Sequence, residues 1–119
     1  EQIFRYSLNS NEEVENPEAP ETIASGLPAG NQHSSKSITL DNDNNIYVNI
    51  GAPSNACQVL DRTPGSPGQD PCPILATAGG IWRFRADQAN QSQSQGTPYA
   101  TGIRNVVGVD WNSSTGELL

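Results

Sequence analysis

The chain has 119 residues and carries 6 basic against 13 acidic side chains, a formal net charge of −7. An acidic chain is repelled by phosphate backbones, which argues against nucleic acid as a partner, and no apolar run is long enough to span a membrane. Hydrophobic residues make up only 34% of the chain, while 11 Gly and 9 Pro accompany many Asn, Ser and Gln residues. This composition, without a helical apolar period, predicts an all-β chain of short strands, turns and long polar loops.

Short strand-like runs follow one another in two passes along the chain. The first pass consists of residues 3–8, 22–27, 37–41 and 46–51, and the second of residues 80–85, 99–103, 106–110 and 117–119. Acidic, Pro-containing or Gln/Ser-rich loops separate the runs, and the turn at 42–45 joins the third run to the fourth. The order of strands and turns is therefore the same in both passes.

The residues in the two passes also correspond. Ile3-Phe4-Arg5-Tyr6 matches Ile81-Trp82-Arg83-Phe84, Ala24-Ser25-Gly26-Leu27 matches Ala100-Thr101-Gly102-Ile103, and Leu40-Asp41 matches Val109-Asp110. Matching positions lie 69 to 78 residues apart, and the loops absorb the variation. A repeated unit of four short strands is the signature of a β-propeller blade. The alternative is a small β-sandwich whose halves resemble one another by accident.

The repeat also predicts how the chain is divided. Residues 1–30 are expected to end one blade, residues 31–103 to form a whole blade, and residues 104–119 to begin the next. Both ends of the chain fall inside strand-like runs, so we expect an internal fragment of a longer propeller. Because one blade cannot bury both faces of its sheet, its stability should depend on its neighbours.

Cys57 and Cys72 are the only cysteines and lie fifteen positions apart in a loop rich in Pro and Gly. Two cysteines and one distant His are too few for a structural zinc site, which needs four closely spaced ligands. A disulfide that closes the loop is the better prediction, and it would stabilise the fold by roughly 3 kcal/mol. Disulfides persist in oxidising compartments, so we expect a secreted or periplasmic protein.

Two turns carry the residues best suited to chemistry. The turn at 27–35 contains Gln32 and His33, and the turn at 102–106 contains Arg104 and Asn105. According to the repeat, each turn joins the last strand of a blade to the first strand of the next. Both turns should therefore open on the same face, at the central channel.

These turns and their flanking strands resemble the soluble quinoprotein glucose/sorbosone dehydrogenases. The segments that carry the resemblance are Asn31-Gln32-His33, Ile38-Thr39-Leu40-Asp41, Ile46-Tyr47-Val48-Asn49-Ile50-Gly51, Gly102-Ile103-Arg104-Asn105, Val109-Asp110-Trp111 and Thr115-Gly116-Glu117-Leu118. The pattern Gly51-Ala52-Pro53-Ser54-Asn55-Ala56-Cys57 is most similar to the sorbosone and pyranose dehydrogenase branch. The resemblance covers most of the chain and is weakest at 57–78.

The resemblance implies a six-bladed propeller with pyrroloquinoline quinone (PQQ) on the channel axis. His33 would be the general base that takes the proton from the sugar hydroxyl as hydride passes to the quinone. An imidazole suits this role because its unperturbed pKa of ~6.5 is close to neutral. The alternative is that His33 only caps a turn.

Arg104 and Asn105 would hold the oxygens of the quinone. A planar, permanently charged guanidinium matches the carboxylates and carbonyls of the cofactor. The alternative is a structural arginine that ties two blades together. Gln32, also placed at the cofactor, stands where some relatives carry Asp beside the His. A neutral amide can orient an imidazole but cannot stabilise its charged form.

The acidic run at 41–45 suggests a calcium loop at first sight. It lacks the Gly at the sixth position and the Glu at the twelfth, where Ile46 and Ala52 stand, so it is interpreted as a tight turn. The family uses Ca²⁺ near the quinone, but its ligands are expected beyond residue 119. No metal ligand is therefore predicted within this chain.

The sequence thus predicts part of a sugar dehydrogenase whose partners are a sugar and an electron acceptor, with this fragment inactive by itself. One alternative is a non-catalytic extracellular propeller that binds other molecules. Another is a calcium-dependent propeller lactonase, which would need carboxylate ligands at the channel. Neither turn contains Asp or Glu, which counts against the lactonase.

Overall fold

The computed structural model describes residues 1–119 and confirms the all-β prediction. The strands are β1 Ile3–Arg5, β2 Glu21–Ser25, β3 Ile38–Leu40, β4 Asn45–Ile50, β5 Gly80–Arg85, β6 Gln91–Ser92, β7 Thr97–Thr101, β8 Trp111–Asn112 and β9 Glu117–Leu118. Two short 3₁₀ helices, Pro73–Ala76 and Gln93–Gln95, are the only helical segments. Neither has the length or apolar character needed to cross a lipid bilayer.

The central sheet is an antiparallel meander of four strands in the order β3-β4-β5-β7. Ile46 of β4 pairs with Leu40 on one side and Phe84 on the other, and Trp82 pairs with Pro98. Side chains alternate between the faces of a strand. Ile46, Val48 and Ile50 therefore share one face with Trp82 and Phe84, while Tyr47 and Asn49 lie on the opposite face.

The hairpin formed by β1 and β2 belongs to the layer that covers the first of these faces. Apolar side chains from the hairpin and the sheet form the core: Ala24, Leu27, Ile46, Val48, Ile50, Ala78, Trp82 and Phe84. Burial of this apolar surface is the main favourable contribution to the fold. The short strand β6 pairs with β2 in parallel and completes a three-stranded sheet.

The hairpin formed by β8 and β9 contacts the second face. Trp111 stacks on Tyr47 with ring centroids 5.4 Å apart and planes 12° apart. Tyr99 of β7 meets the same Tyr47 ring edge-on at 4.9 Å. The central sheet is therefore contacted on both faces by strands from the same chain.

The internal repeat is visible in the strand pairing. Ile3 pairs with Ala24 in the first hairpin, and the matching residues Ile81 and Ala100 pair in the central sheet. The register shifts directly after Ile3 in one hairpin and directly after Ile81 in the other. Because the same irregularity recurs at equivalent residues, the repeat extends to backbone geometry.

The strand predicted at 106–110 is wrong. Val106 donates its backbone N–H to the side chain of Asn49 at 3.1 Å, and the Val107 carbonyl accepts from the Ser37 hydroxyl. Since side chains engage this backbone, no neighbouring strand pairs with it. Pairing begins instead with Asp110 opposite Leu119, whose backbone groups exchange hydrogen bonds of 3.0 and 2.8 Å.

The three layers make an elongated slab of 58 × 36 × 22 Å. Its radius of gyration is 16.3 Å. A compact domain of this length would have a radius of gyration of about 13.5 Å. The shape is therefore more extended than that of an ordinary globular domain.

Candidate functional site

The two turns singled out in the sequence meet at the end of β4, on either side of Ala52. The Ala52 backbone N–H donates to the carbonyl of Arg104 at 2.8 Å. The Ala52 carbonyl lies 2.8 Å from Nδ1 of His33. One buried backbone unit therefore joins the turn that carries His33 to the turn that carries Arg104.

Gly51 makes this close approach sterically feasible. A Cβ at this position would lie 2.6 Å from Cβ of His33 and 2.9 Å from Oδ1 of Asn105. Real Cβ atoms do not approach other atoms so closely. The absence of a side chain at Gly51 therefore allows His33 and Asn105 to lie against the same stretch of backbone.

Asn49 forms hydrogen bonds with both turns. It is fully buried on β4, and its Nδ2 donates to the Ser35 carbonyl at 3.1 Å and to Oδ1 of Asn105 at 2.9 Å. Its Oδ1 accepts the backbone N–H of Val106 at 3.1 Å. Buried polar groups of this kind fix geometry when all are satisfied, so Asn49 sets the separation of the two turns.

His33 presents one ring nitrogen for proton transfer. A backbone carbonyl can only accept, so Nδ1 carries the proton donated to Ala52 and Nε2 of the neutral ring keeps its lone pair. The ring is half-buried, and the backbone of His33 is left-handed at φ 54°. Non-glycine residues adopt this conformation at some energetic cost, and such strain is concentrated at functional sites.

Gln32 engages the disulfide loop through both ends of its amide. Its Nε2 donates to Oδ2 of Asp61 at 2.8 Å, and its Oε1 accepts from Nε of Arg62 at 2.9 Å. The imidazole of His33 is instead held by the Ala52 carbonyl. Gln32 thus connects the turn to the loop, and its contact with a cofactor stays a prediction.

Asp61 is a site residue that the sequence did not reveal. Its Oδ1 accepts the backbone N–H of Asn55 at 2.8 Å while its Oδ2 accepts from Gln32. The Asn55 N–H and the Gln32 amide hold the pKa of the Asp61 carboxyl below its usual value. No local pattern marks Asp61, since the contact spans 29 residues and depends on how the loop folds back.

Arg104 and Asn105 keep donors that the chain does not use. Arg104 is exposed, forms no ion pair, and donates from Nη1 to Oδ1 of Asn55 at 2.6 Å. Asn105 is half-buried and accepts from Asn49, while its Nδ2 has no partner in the chain. Both side chains can therefore donate hydrogen bonds to an anionic or carbonyl-bearing ligand.

The disulfide between Cys57 and Cys72 is confirmed, with Cα atoms 6.1 Å apart. It closes the loop that contains Asp61 and Arg62. Asp61 in this loop accepts hydrogen bonds from Gln32, in the first turn, and from Asn55. The Asn55 side chain in turn accepts from Arg104 in the second turn. The disulfide therefore restrains the outer wall of the site.

The interpretation of residues 41–45 as a tight turn is confirmed. Oδ1 of Asp41 accepts the backbone N–H groups of Asp43 and Asn45 at 2.8 and 2.9 Å, and Oδ2 accepts from the Asn45 side chain and the Tyr47 hydroxyl. No group of three or more His, Cys, Asp or Glu side chains is arranged to hold a metal ion. The Asp41 carboxylate thus serves the turn.

The site therefore combines the free lone pair of His33 with unused donors on Arg104 and Asn105, held together through Ala52 and Asn49. Comparisons with protein-family models, with curated proteins and with solved structures find no match for this chain.

Proposed function

We propose that the chain is part of an extracellular, secreted or periplasmic β-propeller that oxidises a sugar with PQQ. Residues 31–103 would form one blade, and residues 1–30 and 104–119 would belong to its neighbours. The support is the four-stranded meander contacted on both faces by strands of the same chain, together with the repeated register. Propeller blades stack face to face in this manner.

The observation that carries the proposal is the convergence of the two turns on Ala52. His33 and Arg104 are 71 positions apart in sequence, yet each is hydrogen-bonded to that residue. Catalysis by proton transfer beside a bound cofactor needs such fixed juxtaposition of a base and cofactor-binding donors.

The donor set fits the quinone. PQQ carries carboxylates and carbonyl oxygens, and the free N–H groups of Arg104 and Nδ2 of Asn105 are complementary to them. When bound, the quinone would accept a hydride from the sugar carbon. Gln32 would support this arrangement from the loop side, because Asp61 and Arg62 fix its amide.

His33 would act as the general base. Nε2 would accept the proton of the sugar hydroxyl, because Nδ1 is committed to the Ala52 carbonyl. The ring becomes positively charged when it takes this proton, and the carbonyl dipole of Ala52 stabilises the Nδ1–H that it already binds.

The remaining participants would come from outside these residues. A sugar and an electron acceptor are the proposed partners, and Ca²⁺ would be held by ligands elsewhere in the propeller. A single blade with parts of two neighbours does not enclose a channel, so the activity belongs to the intact protein.

The test is dye-linked oxidation of a panel of aldoses by the intact protein supplied with PQQ and Ca²⁺. His33→Asn is the decisive variant, because Asn tolerates a left-handed backbone but cannot serve as the base. General-base catalysis contributes typically 10²–10⁴-fold, so kcat should fall by roughly this factor. The control is Ser34→Ala at the exposed neighbouring position, which should keep full activity.

Absence of both quinone binding and aldose oxidation would refute the proposal. Quinone binding without oxidation of any sugar would favour the non-catalytic binding module. Full activity of His33→Asn would remove His33 from the mechanism.

A further inference from the structure

A cavity of about 200 Å³ lies beside the site, on the side of the disulfide loop. Ala52, Ala56, Ile74, Leu75 and Ile103 line it together with the Cys57–Cys72 disulfide. An apolar cavity of about 150 Å³ in another protein holds a benzene ring. This cavity is therefore large enough for a ring-sized apolar group.

Arg104 lines the same cavity and has no acidic partner. The ion pairs of the chain use Arg5, Lys36, Arg62 and Arg85. With 13 acidic against 6 basic side chains, carboxylates are abundant, yet none neutralises this guanidinium. Arg104 is instead steadied by the neutral Asn55 amide, which leaves four of its five N–H donors without a partner in the chain.

We propose that this cavity binds a small amphipathic carboxylate, with its apolar body against Ile74, Leu75 and Ile103 and its carboxylate on Arg104. Apolar walls with one well-placed polar group are the usual features of a small-molecule site. A guanidinium and a carboxylate form charge-assisted, often bidentate hydrogen bonds. The proposal rests on the cavity and the unpaired charge, and it stands whether or not a quinone binds.

The carboxylate proposed here and the proposed quinone would use the same guanidinium of Arg104. A carboxylate that occupies the guanidinium in this cavity would compete with a quinone that needs the same donors. The small acid would then act as an inhibitor of cofactor loading, and it would do so without touching His33.

The experiment is a calorimetric titration of the intact protein with benzoate. Benzamide, which has the same shape without the charge, and acetate, which lacks the ring, are the comparison ligands. Both should bind at least about tenfold more weakly than benzoate, because each lacks one of the two interactions. Equal affinity for benzoate and benzamide, or no binding of benzoate, would overturn the proposal.

Two variants locate the site. Arg104→Gln should weaken benzoate about tenfold or more, because it removes the charge. Arg85→Gln removes the same positive charge at the last residue of β5, whereas the cavity adjoins Gly79, just before the first residue of that strand. This control should leave the benzoate affinity unchanged. Ala56→Leu, at an exposed position that lines the cavity, should weaken benzoate by filling the space while keeping Arg104.

Unchanged benzoate binding in either Arg104→Gln or Ala56→Leu would also overturn the proposal. A separate titration with PQQ distinguishes this proposal from the proposed function. Binding of PQQ without benzoate contradicts only the carboxylate site, and binding of benzoate without PQQ contradicts only the dehydrogenase.

Discussion

The contact between the two turns depends on the missing side chain of Gly51. Gly51→Ala would push a methyl group against His33 and Asn105, so we expect the free energy of unfolding to fall by roughly 1–3 kcal/mol. The matched control is Gly68→Ala, where a Cβ meets nothing within 4 Å. Its stability should change by less than about 0.5 kcal/mol in urea denaturation. Equal effects of the two substitutions would contradict the packing described for the site.

Asp41 makes the turn between β3 and β4 sensitive to acid. Burial opposes ionisation, but hydrogen bonds from Asn45, Asp43 and Tyr47 outweigh it and hold the pKa of the carboxyl below its ordinary 3.8. A lowered folded-state pKa means that Asp41 stabilises the fold above about pH 4, and that this contribution is lost as the pH falls through the folded-state pKa.

Asp41→Asn should therefore flatten the loss of stability as the pH falls below about 4, measured by urea unfolding at each pH. Asp43→Asn is the control, because the exposed Asp43 side chain forms no hydrogen bond within the chain. If Asp41→Asn keeps the acid dependence of the wild type, the hydrogen bonds of Asp41 do not contribute as described.

The sequence was informative where a residue type by itself suggests a chemistry. His33 and the Arg104-Asn105 pair stood out in turns that the repeat made equivalent, and the structure brings those turns together. Asp61 could not be found in this way. Its contact with Gln32 forms because the loop folds back over the site, and the residues around Asp61 in the sequence do not indicate how the loop folds.

Among the contacts between elements, the side chain of Gln91 hydrogen-bonds to both the central sheet and strand β2. The side chain is buried, and the two hydrogens of its Nε2 are shared among the carbonyls of Arg85 and Gln88, both at 2.7 Å, and of Ile23 at 3.2 Å. Its Oε1 accepts the backbone N–H of Arg85 at 3.0 Å. One amide thus satisfies the backbone on both sides of the layer boundary.

Gln91→Ala should lower the free energy of unfolding by roughly 2–4 kcal/mol, because several buried backbone groups would lose their partner. The comparison is Gln88→Ala, an exposed position whose side chain makes no hydrogen bond in the chain. Chemical denaturation of both variants tests this. A Gln91→Ala protein as stable as Gln88→Ala would show that the layers are held together by other contacts.

The sequence predicted strands correctly where residues with alternating side chains also pair through their backbone with a neighbouring strand. The side chains of β4 and β5 alternate between the two faces of the sheet, and the predicted ranges of both strands differ from the structure by at most one residue. Residues 106–110 also carry three valines, of which Val107 and Val109 are two positions apart as in a strand, but the side chains of Asn49 and Ser37 hydrogen-bond to the backbone there. Val107 is consequently 86% exposed. Apolar spacing alone could not reveal this competition for the backbone.

At the scale of the whole molecule, the slab leaves strand edges and apolar side chains uncovered. Phe4 and Tyr6, on and beside the edge strand β1, are 46% and 42% exposed. Exposed apolar edges of this kind favour pairing with further strands. The sequence predicted the four strands of the central sheet in their chain order, but not β6, and closure into a six-bladed ring stays a proposal.

If the two turns form half of a quinone site, the intact protein should bind PQQ in the presence of Ca²⁺, and a calorimetric titration measures this binding. Asn105→Asp keeps the oxygen that Asn49 binds but removes the free Nδ2 donor. We predict saturable binding by the wild type, weakened about tenfold or more in Asn105→Asp and in Arg104→Gln. Arg85→Gln should bind as the wild type does. No binding, or equal affinity in all four proteins, would show that Arg104 and Asn105 do not hold a quinone.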